Sequence, residues 1–461
     1  MATGVIVSNS WSIDGPFASG SDANERSLRR DAGEVLRTAL EAVNAERLVG
    51  RALRQPPAQL SGDRPIHVLA VGKAAAGMLR GAAHALGDRI RDGILVVPRG
   101  TAAQMSANVE LIEAGHPVPD EASLIAGRAA LRLARSVAAD DVLLFLLSGG
   151  GSALLALPPD SVSIDDMRAT TELLLRAGAS VSELNAVRKH LDLLKGGRLA
   201  HEVAGDIYVL AISDVIGDPP EVIASGPVSP DSSTFTDAVE VLRGRGVWEV
   251  VPERVRRHLG DGVAGRVAES PPPDDECFAR VCYCVVGGAA VAAAGAASAA
   301  QRLGYHTRVL TTSLAGEARR AGAHLARLAR EARANGSPPP PACLVAAGET
   351  TVTVFGDGKG GRNQELALSA AVELSGVKGV LLASIGTDGI DGPTEAAGAL
   401  VTGTTMERAQ ASGLDAFDAL ARNDSYPFFA ALGDLVRTGP TGTNVMDLHI
   451  VLVSNPDGDL K

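Results

Sequence analysis

Six apolar residues in a row, Val142-Leu143-Leu144-Phe145-Leu146-Leu147, run directly into Ser148-Gly149-Gly150-Gly151-Ser152. An apolar run without polar alternation reads as a strand covered on both faces, hence a central parallel strand. Three glycines at its carboxyl end open backbone conformations closed to other residues and remove side chains that would hold a ligand away. Two serines add hydroxyls, and Ala153-Leu154-Leu155-Ala156 can begin a helix. Strand, glycine turn and helix start together suit an anion, a phosphate above all. A tight structural turn is the competing reading.

The remaining bulk properties narrow the class. With 461 residues, the chain has room for two or three domains. Hydrophobic content of 46% and charged content of 21% argue against global disorder. Aromatic content of 3% and a net charge of −11 point away from nucleic acid as a partner. No apolar stretch approaches the ~18 residues that span a bilayer. Residues 1–20 lack the basic start and apolar core of a secretory signal. A cytoplasmic protein without a membrane partner is therefore expected. Cys277, Cys282, Cys284 and Cys343 have neither the density of a disulfide framework nor zinc spacing, and read as reduced thiols. Nothing in the sequence bears on oligomeric state.

Along the chain, residues 1–24 read as a flexible tail, and an amphipathic helix is expected over 32–40. Strands are expected at 66–71, 94–97, 142–147, 207–212, 283–286, 307–311, 344–346, 351–355, 380–385 and 448–453. Helical stretches fall between them at 74–86, 121–137, 289–303, 316–334 and 364–374. This alternation predicts two α/β domains with mostly parallel, Rossmann-like sheets. Consecutive prolines continue neither helix nor sheet, and two such stretches occur, at 270–275 and 336–341. The first sets the expected boundary, giving domains 25–275 and 276–461.

Ligands of open α/β sheets collect at the carboxyl ends of strands, and several strand ends here are polar. Lys73 follows the first strand at a helix start, where a cation opposes the macrodipole unless an anion is shared with it. A lysine pointing into water is the plainer alternative. Asp214 and Asp218 share a turn after the strand 207–212, suited to a magnesium ion or a general base, or simply to turn formation. Arg188, Lys189, Lys195 and Arg198, four cations within eleven residues beside Asn185 and His190, bring a basic cluster to an acidic protein, as an anionic ligand requires. Gly356, Gly358 and Gly361 satisfy G-x-G-x-x-G, yet no acidic residue ends a strand about 20 residues on. Arg362, Asn363, Gln364 and Glu365 crowd the following helix start, and an arginine there could neutralise a transferring phosphoryl group. Gly386-Thr387-Asp388-Gly389 is a further glycine–aspartate turn. Neither the P-loop pattern nor G-x-S-x-G occurs, which disfavours P-loop NTPases and elbow-type hydrolases.

Together these segments resemble the class II glycerate kinases, whose C-terminal part is the MOFRL domain. The resemblance runs from about residue 30 to 453. It rests on Val71-Gly72-Lys73-Ala74, Leu147 through Leu154, Asn185 through Arg198, Ile212-Ser213-Asp214-Val215 and Ala224-Ser225-Gly226-Pro227 with Asp231 and Thr234. Arg362-Asn363-Gln364-Glu365, Gly386 through Gly392 and Thr441 through Asp447 complete it. The resemblance implies phosphoryl transfer from ATP to D-glycerate with Mg²⁺ in a cleft between two α/β domains. 2-Phosphoglycerate is the favoured product, and a MOFRL region is expected at about 340–453. It implies Lys73 and Arg362 as the catalytic pair. Asp214 would orient or deprotonate the hydroxyl, and Ser148, Gly149, Gly150, Gly151 and Ser152 would hold phosphate. Asn185, Arg188, Lys195 and Gln364 are the expected substrate contacts, with Asp214, Asp218 and Asp388 as metal ligands. Asp192 departs from the pattern, standing where a serine is expected. The alternatives are a NAD(P)-dependent hydroxypyruvate reductase using the glycines after Phe355, and a non-catalytic sugar-acid binding protein.

Overall fold

The apolar run lies at the centre of a six-stranded sheet. In the computed structural model, which describes residues 12–56, 60, 62–101 and 108–455, this sheet holds six of the chain's strands. They are β1 (Ile66–Val71), β2 (Ile90–Pro98), β3 (Val109–Ala114), β4 (Val142–Ser148), β5 (Asp206–Ile212) and β6 (Val281–Gly287). Their order is β3-β2-β1-β4-β5-β6, and the pairs β1–β2, β1–β4, β2–β3 and β4–β5 are all parallel. Every residue of β1 and β4 is buried, His67 and Ser148 included, as their predominantly apolar sequences predict. Helix Glu121–Ser136 covers one face, packing Ala126, Ala130 and Leu133 against Leu69, Phe145 and Val209. Beyond β1 the chain passes to β2 and β3 on one side, then returns to β4 on the other. That reversal between β1 and β4 is where sheets of this kind open a ligand crevice at their carboxyl ends.

The second sheet is built from β7 (His306–Leu314), β8 (Ala342–Gly348), β9 (Val380–Gly386), β10 (Gly398–Thr402), β11 (Leu435–Val436) and β12 (Asp447–Val453), in the order β11-β10-β9-β12-β8-β7. Here the expectation of mostly parallel pairing is corrected. Only β7–β8 is parallel, and β12 runs antiparallel to both β8 and β9, as β10 does to β9 and β11. The last strand inserts into the middle of this sheet, so its direction reverses the local pairing on both sides. The α/β class stands, with helices covering both sheets.

The compact units also differ from the expected domains. One comprises Ala45–Val286; the other joins the described residues up to Asn44 to those from Gly287 onward. The prolines at 270–275 end a loop, but the chain continues into β6 of the first sheet before leaving that unit. Helix Ala23–Ala42 belongs to the later unit because Leu28, Val35, Leu36 and Leu40 share a core with Ala289, Ala293, Ala296 and Ala300 of helix Ala289–Arg302. A Cβ on Gly295 would stand 2.7 Å from that of Ala42, so glycine permits this close helix approach. Of the expected tail, residues 1–11 lie outside the described residues. Residues 12–22 are largely exposed but anchored: Asp14 and Arg437 exchange two backbone hydrogen bonds of 2.7 Å, and Pro16 is buried.

Residues 351–355 were expected to be a strand and are not one. They are largely exposed, with one bridge from Thr351 to Glu317 and side-chain-mediated bonds from Thr353 to Glu317 and from the Phe355 amide to Asn423. The four cysteines are free thiols. No helix among the described residues is long and apolar enough to cross a membrane.

Candidate active site

The crevice between β1 and β4 gathers the residues that follow them. Gly72 adopts φ 124°, and a Cβ there would lie 2.2 Å from Ser148 Oγ, so only glycine lets the two strand ends meet. The Lys73 amide donates to the Gly149 carbonyl at 2.9 Å, tying the lysine's backbone to the glycine turn. Ser148 Oγ is buried and accepts from the Ala74 amide at 3.0 Å, just before helix Ala75–Leu86. Ser225 Oγ donates to Asn185 Oδ1 at 2.9 Å, which leaves Ser152 to donate to Ser225, also at 2.9 Å. Both serine hydroxyls, the expected phosphate ligands, have partners within the protein. The turn's backbone offers further donors, since the amides of Gly149, Gly150 and Gly151 donate to no carbonyl among the described residues, an arrangement that suits an anion. Ala224 and Ser225 hold left-handed φ values of 52° and 62°, and this strained pair aims the linking hydroxyl. Sequence reading had no role for Ser225, because neither residue type announces a positive φ.

Asp214 reaches the same turn from the end of β5. A Cβ on Gly149 would stand 1.9 Å from its Oδ2, so the carboxylate lies directly on the glycine. Gly150, at φ 87°, meets different neighbours: its Cβ would fall 2.9 Å and 3.0 Å from His116 Cδ2 and Nε2, and 3.6 Å from Lys73 Cγ. His116 follows β3, and no motif in the sequence singled it out.

Beside the turn is a cavity of about 260 Å³ whose lining includes His116, Gly150, Ser152, Thr171, Arg188 and Lys195. The basic cluster of the sequence resolves here into different fates. Lys189 pairs with buried Asp231 at 3.1 Å. Arg198 donates to Ser270 Oγ and the Ala268 carbonyl. Lys195, expected to meet substrate, instead bonds Asp192 Oδ2 at 2.5 Å and the Leu155 carbonyl at 2.9 Å. Burial draws its pKa down, with the Arg188 charge adding to the effect and Asp192 opposing it. Asp192 also accepts from the Leu157 and Leu194 amides. Arg188 is the exception: it has no hydrogen-bond or ion-pair partner among the described residues, and burial pulls its pKa below the ordinary value. A cation that is partly desolvated and uncompensated in a small cavity calls for an anionic ligand.

The later unit supplies the remaining candidates, Arg362 and Gln364. Arg362 opens helix Arg362–Glu373 and clasps Asp447 through Nε at 2.6 Å and Nη2 at 3.0 Å, with Nη1 on Glu349 at 2.5 Å. Burial opposes its charge, yet the Asp447 bonds and the Glu349 and Asp391 carboxylates hold its pKa above the ordinary value. It is thus a compensated cation, one third exposed at 34%. Gln364, expected at the substrate, is fully buried and donates to Thr394 Oγ1. The dinucleotide reading of the glycine loop also fails on geometry. No strand precedes it, and Asp391 already occupies the helix start, accepting from the Asn363 and Gln364 amides at 3.0 Å and 2.8 Å. Cβ atoms on Gly356 or Gly358 would collide with Arg422 or Asp424, so these glycines serve packing.

Asp214, Asp218 and Asp388 are the expected metal ligands. Asp388 lies in the later unit and accepts from the Ile390 amide; Asp214 and Asp218 lie in the other. Among the described residues, the one group of three possible ligands is His201, Asp275 and Cys277, outside this site. Asp214 by itself fits magnesium, a hard carboxylate beside a phosphate-type turn, since Mg²⁺ is held mostly by one or two carboxylates and substrate phosphates.

Comparison with known proteins places these observations. Residues 31–260 match a domain of unknown function (DUF4147), and residues 342–447 match the MOFRL family. A protein of Thermotoga maritima named D-glycerate 2-kinase is 43% identical over 93% of this chain and 99% of its own. A glycerate 2-kinase of Pyrococcus horikoshii is 42% identical, over 85% of this chain and 88% of its own. The crystal structure of a glycerate kinase from Thermotoga maritima superposes with a TM-score of 0.85 at 43% identity, covering 93% of this chain and 99% of that one.

Proposed function

The chain belongs to the glycerate kinase family that carries a C-terminal MOFRL region, and from that premise we propose how its site performs the reaction. The protein is a kinase that phosphorylates glycerate at the expense of ATP. In this reading D-glycerate occupies the cavity beside Gly150, with its carboxylate on Arg188 and its hydroxyls toward the glycine turn. The observation that carries this is the uncompensated Arg188 guanidinium in a cavity sharing Gly150 and Ser152 with the turn. A volume of about 260 Å³ falls below the roughly 300–1,000 Å³ of drug-sized sites, which suits a three-carbon acid better than a whole nucleotide.

The amides of Gly149, Gly150 and Gly151 would receive the phosphoryl oxygens, and Lys73 would offset charge as it develops on the transferring group. Arg362 is the second cation of the proposal, acting while it stays bound to Asp447. Asp214 would hold the magnesium that accompanies ATP, which when bound neutralises phosphate charge. Asn185 and Ser225 fix the turn from behind rather than meeting substrate. Phosphoryl transfer asks for positioning and charge compensation, and this is what these residues offer.

The test is a coupled assay of ADP release with D-glycerate and ATP, followed by phosphorus NMR of the product. The reading expects stoichiometric ADP and a resonance coupled to the C2 proton. NADH oxidation by hydroxypyruvate without ADP release, or glycerate binding without turnover, would overturn it.

A further inference from the structure

The proposed orientation of glycerate leaves open where the acceptor hydroxyl's proton goes, and the cavity itself narrows the choice. Of its lining groups, Arg188 and Lys195 are cations, and Ser152 and Thr171 are hydroxyls with little basicity. Asp214 does not line the cavity. It lies on Gly149, whereas the cavity opens at Gly150, and successive residues of a turn present different faces. The lining group able to accept a proton near neutrality is His116.

Its placement supports that role. His116 stands in the loop that follows β3, at the carboxyl edge of the sheet, and presents the ring edge bearing Nε2 to Gly150. Any side chain at position 150 would displace it, since a Cβ there would lie 3.0 Å from Nε2. Charged groups around it include Lys73 from the loop after β1, and Arg188 of helix Val181–His190 and Lys195, paired with Asp192, both of which line the same cavity. They also include Asp120, which accepts from the Gly115 amide next to His116 and pairs with Arg99. Helix Ile164–Arg176 contributes Met167 and Thr171, neither of them ionisable.

We infer that His116 is the general base of this enzyme, an assignment that rests on glycerate lying in the Arg188 cavity. The acceptor hydroxyl oxygen forms a bond to the γ-phosphorus as the bond from that phosphorus to the β–γ bridging oxygen breaks. The hydroxyl proton passes to His116 Nε2, and the electron pair of the broken bond leaves on ADP. Asp214 is thereby released from the base role that the sequence suggested for it.

The experiment compares the pH dependence of kcat and kcat/KM for the unaltered enzyme, His116→Gln and His116→Ala, with ATP saturating and folding verified by circular dichroism. His116→Gln is expected to lower kcat about 10²-fold, with the glycerate KM within about threefold, and to lose the acidic limb of the profile. Added imidazole is expected to restore activity to His116→Ala. An acidic limb that persists in His116→Gln, a kcat within about fivefold of the parent, or a failure of imidazole rescue would each overturn the assignment. Activity of the unaltered enzyme separates this outcome from failure of the kinase reading. Arg188→Met, if it left the glycerate KM unmoved, would locate the failure in the cavity assignment instead.

Discussion

Asp192 shows how one residue redirects a cluster of charges. The resemblance expects serine there, yet the carboxylate accepts from two backbone amides and from Lys195, all in a buried setting. The consequence is electrostatic: Lys195 is neutralised in place, and Arg188 becomes the cation that the cavity presents. Removing one member of a buried pair leaves the other charged and desolvated, at a cost of about 3–5 kcal/mol. Asp192→Ala should therefore lower stability by about that amount in chemical denaturation. An unchanged denaturation midpoint would mean that Lys195 finds other partners. Spacing alone could identify the basic cluster but not which of its members is free, because Asp231, Asp192 and Ser270 lie up to 72 residues from the cations they engage.

At the scale of elements, the second sheet carries a buried polar chain through its centre. Ser384 of β9 donates to Asn363 Oδ1 at 2.7 Å, so His449 of β12 must donate its Nδ1 proton to Ser384 at 2.8 Å. Burial, helped by the nearby Arg362 charge, draws the His449 pKa down to about 3. The unfolded chain then takes up a proton near pH 6.5 that the folded protein refuses, so this histidine's contribution is complete above pH 6.5 and is lost as pH falls toward 3. At ~1.4 kcal/mol per pH unit, the loss between pH 6.5 and 5 should be about 2 kcal/mol. Denaturation of the parent and His449→Gln at both pH values checks this, and parallel losses in the two proteins would refute it.

The same scale shows what could be read in advance. The predominantly apolar runs of β1, β4, β5, β9 and β12 declare themselves because both of their faces are covered. β3 was missed because its Val-Glu-Leu-Ile-Glu-Ala sequence keeps one side in solvent at the sheet edge, and β10 because five residues beginning at Gly398 carry little signal. Thr351-Val352-Thr353-Val354-Phe355 has strand propensity without a strand beside it, and Val354 and Phe355 remain 71% and 76% exposed. In the site, the glycine turn, Lys73 and Arg188 were legible from spacing. His116 and Ser225 were not, because their places depend on how the loops after β3 and β5 fold back to the turn.

For the whole molecule, the two compact units divide the proposed chemistry, with Lys73 in one and Arg362 in the other. If each cation is required for turnover, Lys73→Ala and Arg362→Ala should each lower kcat about 10²-fold. Near-parent turnover in either variant would remove that residue from the proposal. The central claim, that Arg188 holds the glycerate carboxylate beside the glycine turn, has a more direct test in the steady-state kinetics of Arg188→Met. A hydrogen bond to a charged group is worth about 1.5–3 kcal/mol, so the glycerate KM should rise about 10- to 10²-fold while the KM for ATP stays within about threefold. A glycerate KM equal to that of the parent, or an equal rise in both constants, would contradict it.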